Sequence, residues 1–319
     1  MKIFNEEILK EYAKPLSETE ENKCKNAIRM VANALEDLNL KQKDIKKIYD
    51  SSTAYQIEMY GTNYYDYKIK IFLQGSYANN TNVRTHSDID IAIVQEDTFI
   101  PKFRSQEQEK HYIFGKPIYR ERSFKDEVEY ILKKHFKNDV ERKNKSIKIN
   151  GNSYRKDTDT VPAMRLKNFE NDYIFNENNY IGGILIKADD GKKIINYPEQ
   201  HIKNGVEKNK RTNHYFKKMV RIGKELRYQM EELNYEYASK ASSFGVECLI
   251  WNVPDYYFTS YESYCYTFKK IIDYLYENRY NIDSFMEVNN IKKLCEDSSD
   301  KSKIYIKFIE ELKGFYTYE

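Results

Sequence analysis

The chain has 319 residues, of which 40% are hydrophobic and 32% are charged, and its formal net charge is +3. This length and apolar content suffice for two packed lobes, while the net charge is too small to imply bulk nucleic-acid binding, so any positive field must be local. No two of the four cysteines have Cys-x-x-Cys spacing, which excludes the usual zinc and disulfide patterns and favours thiols in a reducing cytoplasm. Neither a signal-peptide pattern nor a bilayer-length apolar run is present, so we expect a cytoplasmic protein.

The N-terminal part of the chain is predicted to begin with a helix. Ser17 and Glu20 have the spacing of a capping box. An apolar stripe at helical spacing follows, formed by Ala27, Ile28, Val31, Leu35 and Leu38. After a polar link at residues 41–47, a second helix is expected to run to about Tyr60, where residues 61–63 break it. Residues 68–73 are predicted to form a strand.

The turn after this strand carries the strongest chemical pattern in the sequence. Gly75-Ser76 predicts a tight turn whose amides and hydroxyl can cradle phosphate oxygens. Carboxylates alternate with isoleucines in the next strand, so Asp88 and Asp90 share one face. Neighbouring carboxylates repel each other unless a cation lies between them, which indicates a divalent metal ion. Either motif alone is commonly a turn or a solvated edge, but together they indicate nucleotide chemistry.

The middle of the chain supplies two candidates for a further acid. Residues 97–122 are charged and are predicted to form a surface connector, and Ser123 caps the helix that follows. Residues 146–151 then suggest a hairpin leading into a strand that carries Asp157 and Asp159. These two aspartates lie on one face, so strand geometry alone does not choose between them.

Residues 180–196 predict two strands joined by a glycine-containing turn, and from Pro198 onward the chain is predicted to be helical. On one predicted helix, Lys217, Arg221 and Lys224 form a basic row beside the apolar stripe. Such a row is commonly a solvated face, but it can also supply the cations that a triphosphate needs.

A later stretch combines a helix start with an aromatic residue. Ser242 and Ser243 can cap a helix that runs to Asn252, and a helix N-terminus is also an anion site. Phe244 offers a face for base stacking, although a phenylalanine at this spacing is more commonly part of the core.

The turn and acidic strand resemble the signature of the polymerase-β-like nucleotidyltransferase superfamily, which needs a third acid from a neighbouring strand. In that superfamily the third acid precedes a Val-Pro-Ala turn, so the resemblance selects Asp159 over Asp157. Residues from about 70 to 255 are similar, in order and spacing, to the cGAS/DncV-like nucleotidyltransferases of bacterial anti-phage (CBASS) signalling systems. The matching motifs lie at 74–81, 87–90, 159–163, 195–198 with His201, 220–224 and 243–247.

This resemblance implies an α+β fold in which a polymerase-β-like palm, a mixed β-sheet with flanking helices, is joined to a C-terminal helical lobe in a bilobed enzyme. The implied domains are N-terminal scaffold helices packing on both lobes at 1–60, the catalytic palm at 61–198 and the helical lobe at 199–319. Gly223 departs from the bulkier residue expected beside Lys224. A Cys/His zinc insertion like that of the animal enzyme is absent from the sequence, so DNA sensing is not implied.

The resemblance also assigns the site. Asp88, Asp90 and Asp159 would be catalytic and would bind two Mg²⁺ ions, for which Mn²⁺ can substitute. The residues that would bind nucleotide are Gln74, Gly75, Ser76, Lys224, Ser243 and Phe244, with Phe244 stacking on a base. The expected partners are nucleoside triphosphates as donor and acceptor, together with activating or effector proteins, and the expected state is a monomer without membrane association.

The implied reaction is metal-assisted nucleotidyl transfer, in which a ribose 2′- or 3′-hydroxyl attacks an α-phosphorus and pyrophosphate leaves. A second such step would close a cyclic di- or trinucleotide, a second messenger for anti-phage defence. Three alternatives stay open: a templateless polymerase that extends RNA or makes linear oligoadenylate, a toxin-like enzyme that modifies a macromolecule, and a catalytically inactive nucleotide-binding module.

Overall fold

A computed structural model of the chain describes residues 3–49, 52–63, 66–83, 88–116, 120–152, 155–296 and 299–318. Ser87, part of one predicted motif, and residues 117–119 of the predicted connector lie outside these described residues. By contact clustering the chain divides into two units. The sheet unit comprises Ser17–Ala78 and Asp88–Glu199, and the helical unit comprises the described parts of Met1–Leu16, Asn79–Ser87 and Gln200–Glu319.

The secondary-structure elements are numbered in chain order. The strands are β1 (Ile3–Phe4), β2 (Lys41–Gln42), β3 (Lys46–Lys47), β4 (Tyr55–Tyr60), β5 (Lys68–Gln74), β6 (Ile89–Lys102), β7 (Val140–Arg142), β8 (Ile147–Ile149), β9 (Thr158–Asn168), β10 (Ile181–Lys187), β11 (Lys193–Asn196) and β12 (Thr317–Tyr318). The α-helices are α1 (Glu6–Tyr12), α2 (Glu18–Leu35), α3 (Gly75–Asn79), α4 (Gln106–Glu109), α5 (Phe124–Phe136), α6 (Pro198–Arg211), α7 (Tyr215–Glu232), α8 (Glu236–Lys240), α9 (Ser243–Trp251), α10 (Tyr256–Thr259), α11 (Tyr264–Glu277) and α12 (Ser299–Phe315). Short 3₁₀ helices span Glu36–Leu38, Lys137–Asp139 and Arg279–Ser284.

The sheet unit is built around a mixed sheet with the order β11-β10-β9-β6-β5-β4-β2. β6 and β9 run parallel at its centre, and the pairs on either side of them are antiparallel. β8 adds to the sheet as the antiparallel hairpin partner of the first residues of β9. The strands on both sides of β9 therefore bring residues from distant parts of the sequence to one end of the sheet.

Helices α2 and α5 pack against this sheet, and their ends follow from the sequence. Ser17 and Glu20 form the predicted capping box at the start of α2, and the Ser123 hydroxyl accepts a hydrogen bond from the Asp126 amide at the start of α5. One apolar cluster on the sheet contains Phe72, Ala92, Val94, Val161, Ala163, Ile184 and Ile186. Since side chains alternate along a strand, Asp90 lies on the same face as Ala92 and Val94.

The helical unit has its own hydrophobic core, drawn from α1 and from α7 through α12. The apolar stripe of α7 is buried in this core, and the largest fully buried side chains include Phe216, Phe258, Phe268 and Phe308. β1 and β12 form a short parallel pair within the same unit. Burial of these aromatic and aliphatic side chains is the main stabilising contribution to the unit.

The α+β class, the mixed sheet with flanking helices and the helical C-terminal part are confirmed. The predicted helix running to Tyr60 is wrong, because residues 55–60 form β4. Tyr55, Ile57 and Met59 are buried at alternate positions of β4, and pairing of this strand with β5 overrides the predicted helix. The connector prediction is wrong in part, since β6 continues through a register shift to Lys102 and α4 follows.

The division of the chain into segments 1–60, 61–198 and 199–319 stays a prediction. The four cysteines form no disulfide, and Cys24, Cys248 and Cys265 are buried. Within the described ranges, no helix is both long and apolar enough to span a bilayer.

Candidate active site

Four side chains form a row across four neighbouring strands at one end of the sheet. Gln74 of β5 pairs with Asp90 of β6, Asp90 pairs with Asp159 of β9, and Asp159 pairs with Lys148 of β8. Residues directly opposite one another in neighbouring strands project to the same face. The predicted acids from two distant segments are therefore brought side by side by the parallel β6–β9 pair.

Gly75 follows Gln74 and is required by this arrangement. Its φ angle of +65° is a left-handed conformation that favours glycine. A Cβ atom at this position would lie 2.4 Å from Asp90 Oδ2, so any side chain would displace the carboxylate. Ser76 is the next residue in α3, and within the described residues its hydroxyl has no hydrogen-bond partner. The phosphate cradle at this turn stays a prediction.

The environment of Asp159 disfavours the charged form of its carboxyl group. Its carboxyl group is half-buried, and Ser146 Oγ donates to its Oδ1 at 3.3 Å. Burial raises the pKa of Asp159, and the charge of Asp88 raises it further, outweighing the Ser146 hydrogen bond and the positive charges nearby. A cation near Asp88 and Asp159 would relieve this repulsion.

Asp157, the competing candidate for the third acid, is engaged by other groups of the protein. Its Oδ2 lies 2.7 Å from Lys148 Nζ, and its Oδ1 accepts from the Gly151 amide at 2.6 Å. The Lys148 ammonium, followed by the Gly151 N–H, holds the pKa of Asp157 below its usual range. Both oxygens of Asp157 therefore have close partners, whereas Asp159 has one longer hydrogen bond from Ser146, which favours Asp159 as the ligand, although the assignment of the third acid stays a prediction.

The carboxylates fit a divalent ion in their donor chemistry and in the face that they share. Oxygen donors of this type are the ligands that Mg²⁺ prefers. In the part of the chain that the structure describes, however, no three His, Cys, Asp or Glu side chains are gathered so that they could hold an ion. Asp88 is instead 3.5 Å from Lys148 Nζ through its Oδ2. The residues suit the ion, but they are not preassembled into a ligand set.

Lys224 lies in the helical unit at the centre of a buried polar network. Its Nζ is 2.5 Å from Glu247 Oε2 and 3.1 Å from Thr81 Oγ1, and both ionic side chains are 2% exposed. Glu247 also accepts from Thr81 and contacts His201 Nε2 at 2.8 Å. Burial alone would raise the pKa of Glu247, but Lys224 and His201 outweigh it and hold that pKa well below its ordinary value.

The other two members of the basic row are also buried, so the solvated-face alternative is wrong. Arg221 donates through Nε to the carbonyl of Ala13 at 2.8 Å and is 5% exposed. Lys217 is 6% exposed, and burial lowers its pKa to about 8. Gly223 explains the close approach of α7 to α9, since a Cβ there would meet Ile250 Cδ1 at 2.8 Å.

Ser243 and Phe244 occupy the start of α9. Ser242 is the N-cap, and its hydroxyl accepts from the Gly245 amide at 2.9 Å, so the hydroxyl of Ser243 is not used for capping. Phe244 is 40% exposed and packs edge-on against His201, with 5.5 Å between the ring centroids. The expectation that this ring is part of the core is wrong. With Lys224, these residues form a second group in the helical unit, and their role in nucleotide binding stays a prediction.

Sequence reasoning did not identify Lys148 and Glu247 as functional residues. Glu247 lies within a motif that carried the resemblance, but only the fold shows its ion pair with Lys224. The position of Lys148 opposite Asp159 depends on the register of β8 and β9, across an eight-residue connection. A lysine at an alternate position of a short strand does not by itself indicate which residue it faces in the neighbouring strand.

Comparisons with protein families match both parts of the chain. A model for the nucleotidyltransferase domain matches residues 60–156. A model for the cGAS/DncV-like nucleotidyltransferase C-terminal helical domain matches residues 203–317. The first match includes Asp88 and Asp90, and the second includes Lys224, Ser243 and Phe244.

Relatives that match almost the whole chain are cyclic nucleotide synthases. Cyclic GMP-AMP synthase CdnE03 of Staphylococcus schleiferi is 47% identical over 99% of this chain and 98% of its own. A cyclic dipurine nucleotide synthase of Elizabethkingia meningoseptica is 35% identical over 94% of both chains. The structure of Elizabethkingia meningoseptica CdnE cyclic dinucleotide synthase with GTP and Apcpp has a TM-score of 0.72 and 31% identity, covering 98% of each chain.

Proposed function

Because the chain belongs to the cGAS/DncV-like nucleotidyltransferase family, we propose that it condenses nucleoside triphosphates into a cyclic di- or trinucleotide and releases pyrophosphate. The observation that carries this proposal is the row of Gln74, Asp90 and Asp159 beside Gly75, with Asp88 just before β6. Relatives named for two-nucleotide products favour a cyclic dinucleotide. GTP and ATP are the proposed first substrates, because the 47% identical relative is a cyclic GMP-AMP synthase.

Asp88, Asp90 and Asp159 are the residues that would hold two Mg²⁺ ions. Bound there, the ions would neutralise charge on the entering and leaving oxygens of the phosphoryl transfer. The strands contribute positioning: the parallel β6–β9 pair fixes Asp90 opposite Asp159, and Gly75 leaves room for the Asp90 carboxylate. Because the pKa of Asp159 is raised, this carboxylate is also the proposed acceptor for the proton of the attacking hydroxyl.

The helical unit contributes the remaining nucleotide contacts in this proposal. Ser243 supplies a hydroxyl at the N-terminus of α9, where the helix dipole favours anions, and Phe244 supplies an exposed ring for base stacking. Lys224 supplies positive charge for the triphosphate. To bind it, the Lys224 ammonium group would exchange its contact with Glu247 for a phosphate oxygen, or share itself between the two. In the sheet unit, Gln74 and Ser76 at the Gly75 turn are the proposed nucleotide-binding residues.

A product analysis tests the reaction. Purified protein is incubated with labelled GTP, ATP, CTP and UTP and Mg²⁺, then treated with phosphatase and separated by chromatography. We expect pyrophosphate release and a phosphatase-resistant product from the wild type. The matched control is the Asp88→Asn, Asp90→Asn double variant, which should retain the fold and form no product. Linear ladders, tailed RNA or label on a protein would contradict cyclisation and support the alternatives.

The proposed biological setting follows the family. The product is a proposed second messenger of anti-phage defence, and activating or effector proteins are the proposed partners. A monomeric state and a cytoplasmic location stay predictions. The role in anti-phage defence is tested by expressing the protein together with its neighbouring genes in cells that are then challenged with phage. The wild type should restrict infection, and the Asp88→Asn, Asp90→Asn variant should not.

A further inference from the structure

Lys148 provides a positive charge within the acidic group on the sheet. Its Nζ lies 2.7 Å from Asp157 Oδ2 and 3.5 Å from Asp88 Oδ2, and its backbone position is directly opposite Asp159. The side chain is 22% exposed, so it is partly shielded from solvent but is not locked in the core. Lys148 therefore contacts a proposed metal ligand while belonging to none of the predicted nucleotide-binding motifs.

Asp157 anchors this lysine. The Gly151 amide binds Oδ1 of Asp157 at 2.6 Å and leaves Oδ2 facing Lys148. A Cβ atom on Gly151 would lie 2.7 Å from the Asp157 backbone nitrogen, so the connection between β8 and β9 is tightly packed here. Asp157 thus holds the ammonium group near Asp88 without itself having a free oxygen.

The charges in this group explain why such an anchor is useful. Asp90 and Asp159 lie opposite each other in the β6–β9 pair and Asp88 lies just before β6, so without a cation these carboxylates repel one another. Lys148 compensates part of this charge. A divalent ion bound by Asp88 would be repelled by the ammonium group and would compete with it for the same oxygens.

We propose that Lys148, held by Asp157, is a placeholder cation: it compensates the acidic group in the absence of a divalent ion and lowers the affinity for that ion by competing for Asp88. This inference rests on the proposed function, because it takes Asp88, Asp90 and Asp159 as metal ligands. Lys148 is a positioning residue for Asp88, and the exchange between the two cations sets the concentration of ion at which the site is loaded.

Mn²⁺ binding to the full-length protein tests the proposal, with the free ion followed by its electron paramagnetic resonance signal. Lys148→Met should bind Mn²⁺ roughly three- to tenfold more tightly than the wild type, because the competing charge is removed. Asp157→Asn should bind it roughly two- to fivefold more weakly, because the released ammonium can then turn fully toward Asp88. Lys148→Arg, which keeps the charge, should remain close to the wild type.

Lys145→Met is the matched control, since it removes one positive charge from the same hairpin at an exposed position. It should leave Mn²⁺ affinity unchanged. Thermal melts separate binding from folding: Lys148→Met should melt at a lower temperature in EDTA and show a larger Mn²⁺-induced increase than the wild type.

The outcomes distinguish this inference from the proposed function. Failure of the wild type to bind Mn²⁺, or retained binding by the Asp88→Asn, Asp90→Asn variant, would refute the metal site itself and with it the role of Lys148. Normal binding by the wild type, with equal or weaker binding by Lys148→Met, would overturn the placeholder role alone. An equal gain in Mn²⁺ affinity in the Lys145→Met variant would show that the gain comes from general surface charge. This result would also overturn the placeholder role.

Discussion

Replacing Asp159 by Asn should separate function from stability. The expected result is a loss of activity on the order of 10³-fold, because one proposed ligand of the phosphoryl-transfer site is removed. In EDTA, the same variant should be slightly more stable than the wild type at neutral pH. A residue whose removal destroys activity and stabilises the fold has been retained for chemistry rather than for packing.

The direction of the stability change follows from the raised pKa of Asp159, caused first by burial and then by Asp88. When the folded-state pKa exceeds the unfolded value, the folded protein loses stability as the pH rises from the unfolded to the folded pKa. Above the folded-state pKa the full loss of stability is present, and replacing Asp159 by Asn removes this loss. Because the carboxyl group is only half-buried, the gain is about 1 kcal/mol or less at pH 7 and vanishes near pH 3.

Asp157→Asn is the matched control, two residues away on the same face. Lys148 and then the Gly151 amide lower the pKa of Asp157, so its carboxylate contributes stability above the unfolded pKa that is lost as the pH falls through the folded pKa. The variant should therefore lose stability at pH 7, by under about 1 kcal/mol given that the side chain is 41% exposed. It should retain activity at saturating Mg²⁺.

Urea denaturation in EDTA at pH 4, 5.5 and 7.5 measures both stability changes, and pyrophosphate release measures activity. The reasoning would be refuted if Asp157→Asn were inactive and Asp159→Asn active, since Asp157 would then be the third acid. It would also be refuted if Asp159→Asn destabilised the metal-free protein at pH 7.5 by more than about 1 kcal/mol, because the carboxylate would then be structural.

Three further substitutions test the rest of the site. Gly75→Ala should reduce activity at least about 100-fold with the circular dichroism spectrum retained, because its Cβ would meet Asp90 Oδ2 at 2.4 Å. Glu247→Gln leaves Lys224 buried without its partner and should lower the free energy of unfolding by about 3–5 kcal/mol in urea titrations, with partial recovery on adding Lys224→Met. Phe244→Ala should change stability by under about 1 kcal/mol, because the ring is 40% exposed, but should raise the KM for nucleoside triphosphates roughly tenfold or more.

Most of the fold could be predicted from local sequence patterns. The capping box of α2 and the apolar stripes of α2 and α7 act within a few residues, and the structure follows them closely. β4 could not be predicted in this way, because the alternation of its buried residues favours a strand only once it pairs with β5. The extension of β6 depends likewise on a register shift against β9, which no local pattern shows.

The acids of the candidate site were foreseeable for a different reason. The period of two predicts Asp88 and Asp90 on one face without knowledge of any other segment, although β6 begins at Ile89, so that Asp88 lies just before the strand. The choice of Asp159 over Asp157 needed the resemblance, and the pairing of Asp157 with Lys148 and Gly151 now supplies a physical argument for it. Lys148 itself could not be found, since its role exists only through cross-strand register.

Exposure distinguishes the contacts of Lys148 in the sheet unit from the Lys224–Glu247 pair in the helical unit. Lys148 is 22% exposed and its partners Asp157 and Asp88 are 41% and 47% exposed, so water can replace either contact when a divalent ion binds. Lys224 and Glu247 are each 2% exposed, and breaking their pair without a replacement anion would leave a buried charge. A triphosphate can supply that anion, whereas a neutral ligand cannot. Under the proposed function, the buried pair would therefore favour phosphorylated substrates, while the exposed pair would respond to the metal ion alone.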